Sequence, residues 1–185
     1  STNANHAFQA DANKQPQFIN SAVPVSGQPT VRFDGIQDSS TGDWMKGSSS
    51  VGIPTGYTSF LVYLRANRTI PEQAMCAIGI PAQQGALRSH FIRNNGEMAF
   101  SAWNEDFGTG FIIPGDAYRI WTERLNDAKN LLEFFDTTAA STNSFSNSTS
   151  GLNTPGAGYY LGGLNTYTRN FKGDISEVVI YQGKL

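Results

Sequence analysis

A single cysteine, Cys76, occurs in 185 residues, which excludes an internal disulfide and a thiolate metal cluster. His6 and His90 are the only imidazoles, so a histidine-rich metal site is excluded as well. Charge is sparse: 15% of residues are charged, against roughly 25% in an average soluble protein. The 13 Lys and Arg face 15 Asp and Glu without any basic run, so the chain has no electrostatic footprint for nucleic acid. No apolar stretch approaches the roughly 20 residues of a spanning helix, and membrane insertion is not expected. What the chain does have is glycine (19 residues), Ser, Thr and Asn in quantity, and 12% aromatics. A chain of this length buries about 70% of its unfolded surface, enough for one domain with a sizeable core.

Long helical periodicity is missing too, and apolar residues recur with period two, the mark of strands with one buried face. Strands are expected over Thr30 to Asp34, Phe60 to Arg65, Met75 to Ile80, Ser89 to Arg93, Glu97 to Trp103, Ala117 to Leu125, Leu131 to Asp136, Gly158 to Gly162 and Gly173 to Tyr181. Gly, Pro, Asn and Asp punctuate them. Asn94-Asn95-Gly96 suits a tight hairpin that needs positive φ, and Asn126 to Asn130 a longer one. Ser141 to Gly156, rich in Ser, Thr, Asn and Gly, reads as a long surface loop. Many short strands without intervening helices give an all-β antiparallel two-sheet sandwich or jelly roll in one domain. Alternation assigns Phe60, Val62 and Leu64 to the core, with Leu61, Tyr63 and Arg65 opposite. It likewise assigns Met98, Phe100 and Ala102 to the core, with Glu97, Ser101 and Trp103 opposite. The last strand becomes apolar on both faces, as expected of a strand covered on two sides.

Three segments carry a family resemblance. Asn5-His6-Ala7-Phe8-Gln9-Ala10 and Gln15-Pro16-Gln17-Phe18 lead into Gly27-Gln28-Pro29-Thr30-Val31-Arg32-Phe33-Asp34-Gly35, and near the end Tyr160-Leu161-Gly162-Gly163 precedes Phe171-Lys172-Gly173-Asp174-Ile175-Ser176-Glu177-Val178-Val179-Ile180-Tyr181. These ends resemble the "NHA…NG.P.VRFDG" opening and "IGG…F.GDIAEVIIY" closing of bacterial and phage laminin G-like domains, in the concanavalin A-like lectin and glucanase superfamily. Tyr118 to Asp136 is similar to that family's central hairpin, with Trp121 displaced and Thr137 in place of its final Gly. The resemblance implies a concanavalin A-like jelly roll along nearly the whole chain, residues 1–185. It also implies a piece of a longer protein, since the family's earlier "W.D.SG" strand has no counterpart. Residue chemistry agrees: Gly35 and Gly173 flank strands where positive φ or close sheet approach selects glycine, and Asp34 and Asp174 beside them suit turn-amide acceptors.

The superfamily's glucanases place acids on one strand as E-x-D-x-E, because residues i and i+2 share a face. None of Glu72, Glu97, Glu105, Glu123, Glu133 or Glu177 has an Asp two residues on, and no G-x-S-x-G elbow occurs, so catalysis is not expected. Calcium is the one cofactor left open. Several laminin G-like relatives hold it at a sandwich rim, and the oxygen ligands here would be Asp34, Asp38 and Asp43, or Asn104 with Asp106. The family's paired acids after "FDG" are broken here by Ser39 after Asp38.

Low charge with aromatics among amides suits a sugar ring and its hydroxyls. The expected platform is Trp103 beside Asn104, with Tyr63, Arg65, His90 and Ser101 on neighbouring strands, Trp44 in its Gly42-Asp43-Trp44 loop, and Tyr167 and Arg169 in a polar loop at the same end. Trp121, Tyr159, Tyr160 and Phe171 are expected to pack. The leading expectation is a non-catalytic module that binds a glycan or surface polysaccharide outside the cell, on a cell surface or a virion. The alternative is a structural or protein-interaction module, such as a virion decoration or adhesin spacer, and a polysaccharide-degrading enzyme ranks third.

Overall fold

Backbones whose side chains alternate between water and core pair edge to edge, and the computed structural model of the chain shows two sheets built this way. It describes residues 6–20, 27–38, 40–47, 56–66, 71–81, 83, 87–101, 107–113, 115, 117–126, 131–136, 139–144, 158–164 and 168–183, with no side-chain description at 107 or 131–144. Among the described residues the strands are Ala7–Phe8 (β1), Gln17–Ile19 (β2), Thr30–Asp34 (β3), Met45–Gly47 (β4), Tyr57–Arg65 (β5), Gln73–Gly79 (β6), Leu87–Ile92 (β7), Glu97–Ser101 (β8), Phe107–Ile112 (β9), Tyr118–Leu125 (β10), Leu131–Asp136 (β11), Ala139–Ser144 (β12), Tyr159–Leu161 (β13) and Lys172–Gln182 (β14). The front sheet runs β1-β4-β13-β6-β7-β8-β9 and the back sheet β12-β11-β10-β5-β14-β3-β2. The sole helical turn among the described residues is the 3-10 turn Ala12–Lys14, capped by Asp11. The architecture is the expected all-β antiparallel sandwich. β3 and β14 pair with each other and neither lies at a sheet edge.

Five strands escape the period-two reading: β1, β2, β4, β9 and β12. Four are short or glycine-rich. The fifth, β12, corrects the expected loop from Ser141: Ala-Ala-Ser-Thr-Asn-Ser carries no alternation, yet it pairs with β11 from Leu131↔Ser144 to Asp136↔Ala139. Ladder hydrogen bonds are made by the backbone, so an edge strand needs no apolar pattern. Residues 145–156 of that loop lie outside the described residues.

The two sheets enclose a core in which Trp121, completely buried, meets Tyr63 (ring centroids 6.4 Å) and His90 (4.9 Å) edge-on, while Phe33 and Phe171 pair at 6.5 Å. This inverts the expected faces of β5. Leu61, Tyr63 and Arg65 point inward and Phe60, Val62 and Leu64 are half-buried on the outside. Both sets are apolar enough to be buried, and the β10 register decides, since Leu61 lies opposite Trp121. In β8 the expectation holds for Met98 and Phe100, both buried; Ala102 lies outside the described residues.

The β14 expectation is corrected in part. A bulge at Ser176 moves its inward set from Ile175 to Val178 and Ile180, so Val179 and Tyr181 face outward and Tyr181 is 47% exposed. Gly173, at φ 151°, lies where a Cβ would come within 1.9 Å of the Leu64 carbonyl oxygen, so close strand approach selects glycine there. Gly96, at φ 84°, turns the β7–β8 hairpin as expected.

Cys76 faces this core at 3% exposure, and burial pushes its thiol up to about 12. The thiolate is the reactive species, so native protein at neutral pH is expected to react with Ellman's reagent only as fast as it unfolds. Stoichiometric labelling within seconds under native conditions would contradict that burial.

Candidate functional site

Register builds one continuous outward-facing row across the front sheet: Phe8, Lys46, Tyr160, Ala77, Ser89 and Ser101 stand opposite one another in turn from β1 to β8. The next row contributes Ala74, Phe91 and Ala99, and Trp44 packs against this same layer. Ala74, Ala77, Ala99, Ser89, Ser101, Phe91 and Tyr160 are all buried, and Leu87 and Leu164 join them in one cluster on this face. Lys46 Nζ lies 5.7 Å from the Tyr160 ring centroid and the Arg169 guanidinium 5.3 Å from that of Phe91, both cation–π distances. Arg169 also pairs with Glu72 at 2.9 Å. Ser89 Oγ and Trp44 Nε1 are buried and carry no hydrogen-bond partner, a cost that a polar ligand group or water would relieve.

Trp44 is held by its loop. Its N–H donates to the Lys14 carbonyl (3.3 Å), and its own carbonyl accepts from Gln9 Nε2 (3.1 Å). The preceding loop is tied down by Asn170, whose Nδ2 donates to the Ile36 carbonyl at 2.6 Å. Asp34 and Asp43 cross-brace it: the Asp34 N–H donates to Asp43 Oδ2 (3.1 Å) and the Asp43 N–H to Asp34 Oδ1 (3.3 Å). Burial, reinforced by the Asp34 charge, pushes the Asp43 carboxyl up to about 6.

Of the residues expected in a binding face, Trp44, Ser101 and Arg169 are brought together here. Trp103, Asn104 and Tyr167 lie outside the described residues. Tyr63, Arg65 and His90 are corrected: all three are buried between the sheets. His90 Nε2 meets Ser59 Oγ at 3.0 Å, and burial lowers its pKa to about 3, keeping the ring neutral. Arg65 reaches the Ile113 carbonyl at 3.5 Å. Sequence reasoning missed Lys46, because β4 is three residues long; Tyr160 packs as expected, buried in the cluster on this face.

Of the calcium candidates, Asp34 and Asp43 face each other, while Asp38 Oδ1 accepts from the Ser40 N–H and hydroxyl, both at 2.7 Å. No group of three His, Cys, Asp or Glu side chains comes together among the described residues, and Asn104 and Asp106 are not among them. Asp34 Oδ1 accepts the Ile36 N–H at 2.9 Å, the expected Asx turn. Asp174 departs from its expected turn role. It takes Arg32 bidentately (2.7 and 2.9 Å) and accepts from the Tyr118 hydroxyl (2.8 Å).

The Ser59–His90 contact has the residue types of a hydrolytic dyad but not the access. With Tyr57, Arg88 and Glu123 it lines a cavity of about 10 Å³ between the sheets, room for about one water and no substrate. Tyr57 stacks under the Arg88 guanidinium (5.2 Å) and its hydroxyl donates to Glu123 Oε1.

No protein-family model matches the chain, and no curated protein matches it in sequence. Solved structures do match in shape. The CBM40 module of the Ruminococcus gnavus IT-sialidase, bound to α2,3-sialyllactose, superposes with a TM-score of 0.59 at 14% identity, over 77% of this chain and 90% of that one. Domain 4 of the extracellular GH43 arabinanase AbnA from Geobacillus stearothermophilus, in complex with arabinotriose, gives 0.66 at 12% identity over 92% and 77%. The enzymatically active domain of tailspike protein 2 from bacteriophage CBA120 gives 0.65 at 11% identity over 92% of this chain and 28% of that one. At such identities the likeness establishes the fold, and this chain shares the antiparallel jelly-roll sandwich of these domains.

Proposed function

We propose that the chain is a non-catalytic, laminin G-like glycan-recognition domain of an extracellular protein, on a cell surface or a virion, and that the outer face of the front sheet holds the sugar. The carrying observation is the set Trp44, Tyr160, Lys46 and Arg169 at the margin of a buried layer of Ala and Ser, with the Ser89 hydroxyl and the Trp44 indole N–H unpaired. Rings take the C–H face of a sugar, and flanking donors take its hydroxyls. Two of the matched structures carry oligosaccharides, which supports the reading at the level of ligand class. Against hydrolysis, Glu72 and Glu97 are engaged by Arg169 and Arg93, and Glu123 is sealed in the core. A glycan array run with and without calcium tests the reading. Trp44→Ala is expected to weaken any hit by about tenfold or more while leaving the far-ultraviolet circular dichroism unchanged. An array without hits, or hits indifferent to Trp44→Ala, would remove this site.

One observation favours the second reading, a protein-interaction module. On the outer face of the back sheet Phe60, Val62, Leu64 and Val179 are half-buried beside Ile120 (48% exposed) and Tyr181, whose ring meets Phe60 edge-on at 6.2 Å. Contiguous apolar surface of this kind suits a protein partner. Under that reading Tyr181→Lys, and not Trp44→Ala, abolishes association.

A further inference from the structure

A second polar concavity lies on the opposite side of the sandwich. Across the outer face of the back sheet, Gln17, Arg32, Asp174, Leu64 and Tyr118 stand in one row by register, and Asp34 and Lys172 stand opposite each other in the next. Together with Asp43, Ala66, Phe33 and Gly173, most of these line a cleft of about 380 Å³, within the size range of small-ligand sites. The array follows from sequence: Arg32 and Asp34 flank the inward Phe33, Lys172 and Asp174 flank Gly173, and alternation sends all four outward.

The lining has spare hydrogen-bonding capacity of both kinds. Asp174 engages Nε and one Nη of Arg32, so the guanidinium is held flat while its other Nη makes no bond to the described residues. Asp34 spends Oδ1 on the Ile36 and Asp43 amides and Asp43 spends Oδ2 on the Asp34 amide, leaving one oxygen of each carboxylate. Gln17 and Lys172 show no side-chain bond to the described residues and bring further donors and an acceptor. Two cations face three carboxylates, so the cleft offers no excess positive charge for a phosphate or sulfate. The side chains of Leu64 and Ala66 supply an apolar base.

We propose that this cleft binds one neutral sugar ring, its C–H face on Leu64 and Ala66 and its hydroxyls on Arg32, Lys172, Gln17 and the free oxygens of Asp34 and Asp43. The site is separate from the front-sheet face and does not rest on that reading. The size and the alternation of donors with acceptors select a polyol over an ion. Millimolar affinity is the natural scale for a single ring held by exposed polar groups.

The test is a titration of isotope-labelled, full-length protein with L-arabinose, D-galactose and D-glucose, read by amide chemical shifts. Saturable shifts are expected at Gln17, Arg32, Asp34 and Lys172 for at least one sugar. Lys172→Ala and Gln17→Ala, which leave the Arg32–Asp174 pair intact, are expected to weaken that binding about fivefold or more each, and Trp44→Ala is expected to leave it unchanged. Absence of saturable shifts at these amides with all three sugars overturns the proposal. So does binding indifferent to both cleft variants, or binding lost with Trp44→Ala alone, which would place the sugar on the front sheet. Sodium sulfate at equal concentration serves as the ionic control, and if it matches the sugars in shift pattern and affinity the cleft is an anion site and the proposal fails.

Discussion

Trp121→Ala is expected to cost about 3–5 kcal/mol of unfolding free energy, a large share of the roughly 5–15 kcal/mol that holds a domain of this kind together. The indole is completely buried and sits where the sheets meet, touching Tyr63 from its own sheet and His90 from the other. Removing it leaves a cavity that a two-sheet sandwich cannot easily close, because the backbones on either side are fixed by ladders to β5 and β11. Trp121→Phe keeps an edge contact with one neighbour and is expected to cost less than half as much. Urea unfolding followed by circular dichroism measures both. A Trp121→Ala loss below about 1 kcal/mol, the level of ordinary surface changes, would mean the ring is not a core residue.

The environment of Trp121 also marks how far the sequence can be read. Strand identity is legible where turn-forming residues bound the run, as Pro29 and Gly35, Gly115 and Asn126, and Asn130 do: β3, β10 and β11 emerge with ends within one residue of those expected. Facing is less legible. In β5 both faces are apolar, so composition cannot choose between Phe60-Val62-Leu64 and Leu61-Tyr63-Arg65, and the choice falls to long-range register against β10. That single slip sends Tyr63 and Arg65 to the surface in the sequence reading and into the core in the fold. His90 is misplaced for another reason. Period-two logic cannot see that a histidine neutralised by burial is acceptable beside Ser59 and Trp121. Conversely, the front-sheet face joins Trp44 and Lys46, Tyr160, Ser101 and Arg169 from four separate segments, and only the pairing of β4 with β13, β13 with β6, and on through β7 to β8 brings them to one surface. The back-sheet cleft depends in the same way on β3 meeting β14 across more than a hundred residues of chain.

Glu123→Gln is expected to stabilise the protein above neutral pH and to flatten its pH dependence. The Glu123 side chain is buried between the sheets, Oε1 accepts from the Tyr57 hydroxyl, and Oε2 has no partner. Burial raises its pKa well above the ordinary 4.5. Below about pH 4.5 the carboxyl is protonated folded or unfolded and contributes no slope. Above it the unfolded state ionises while the folded state keeps its proton, so stability falls as pH rises, by at most about 1.4 kcal/mol per unit. His90, facing the same cavity, has the opposite sense. Burial lowers its pKa from 6.5 to about 3, so its contribution is complete above 6.5 and is lost as pH falls toward 3. Arg88, lowered by burial to about 10, stays charged throughout and adds no slope in this range. The two slopes oppose each other between about 4.5 and 6.5, which makes that window the stability plateau, with Glu123 governing the decline on the alkaline side. A glutamine at 123 can still accept from Tyr57 and has no proton to hold, so thermal melts from pH 4 to 9 should show the variant gaining over wild type progressively above about pH 4.5. His90→Gln should instead flatten the acid side. If Glu123→Gln and wild type decline in parallel between pH 6.5 and 9, the carboxyl is already ionised in the folded state, with Arg88 or a bound water compensating it, and the alkaline decline belongs to another group.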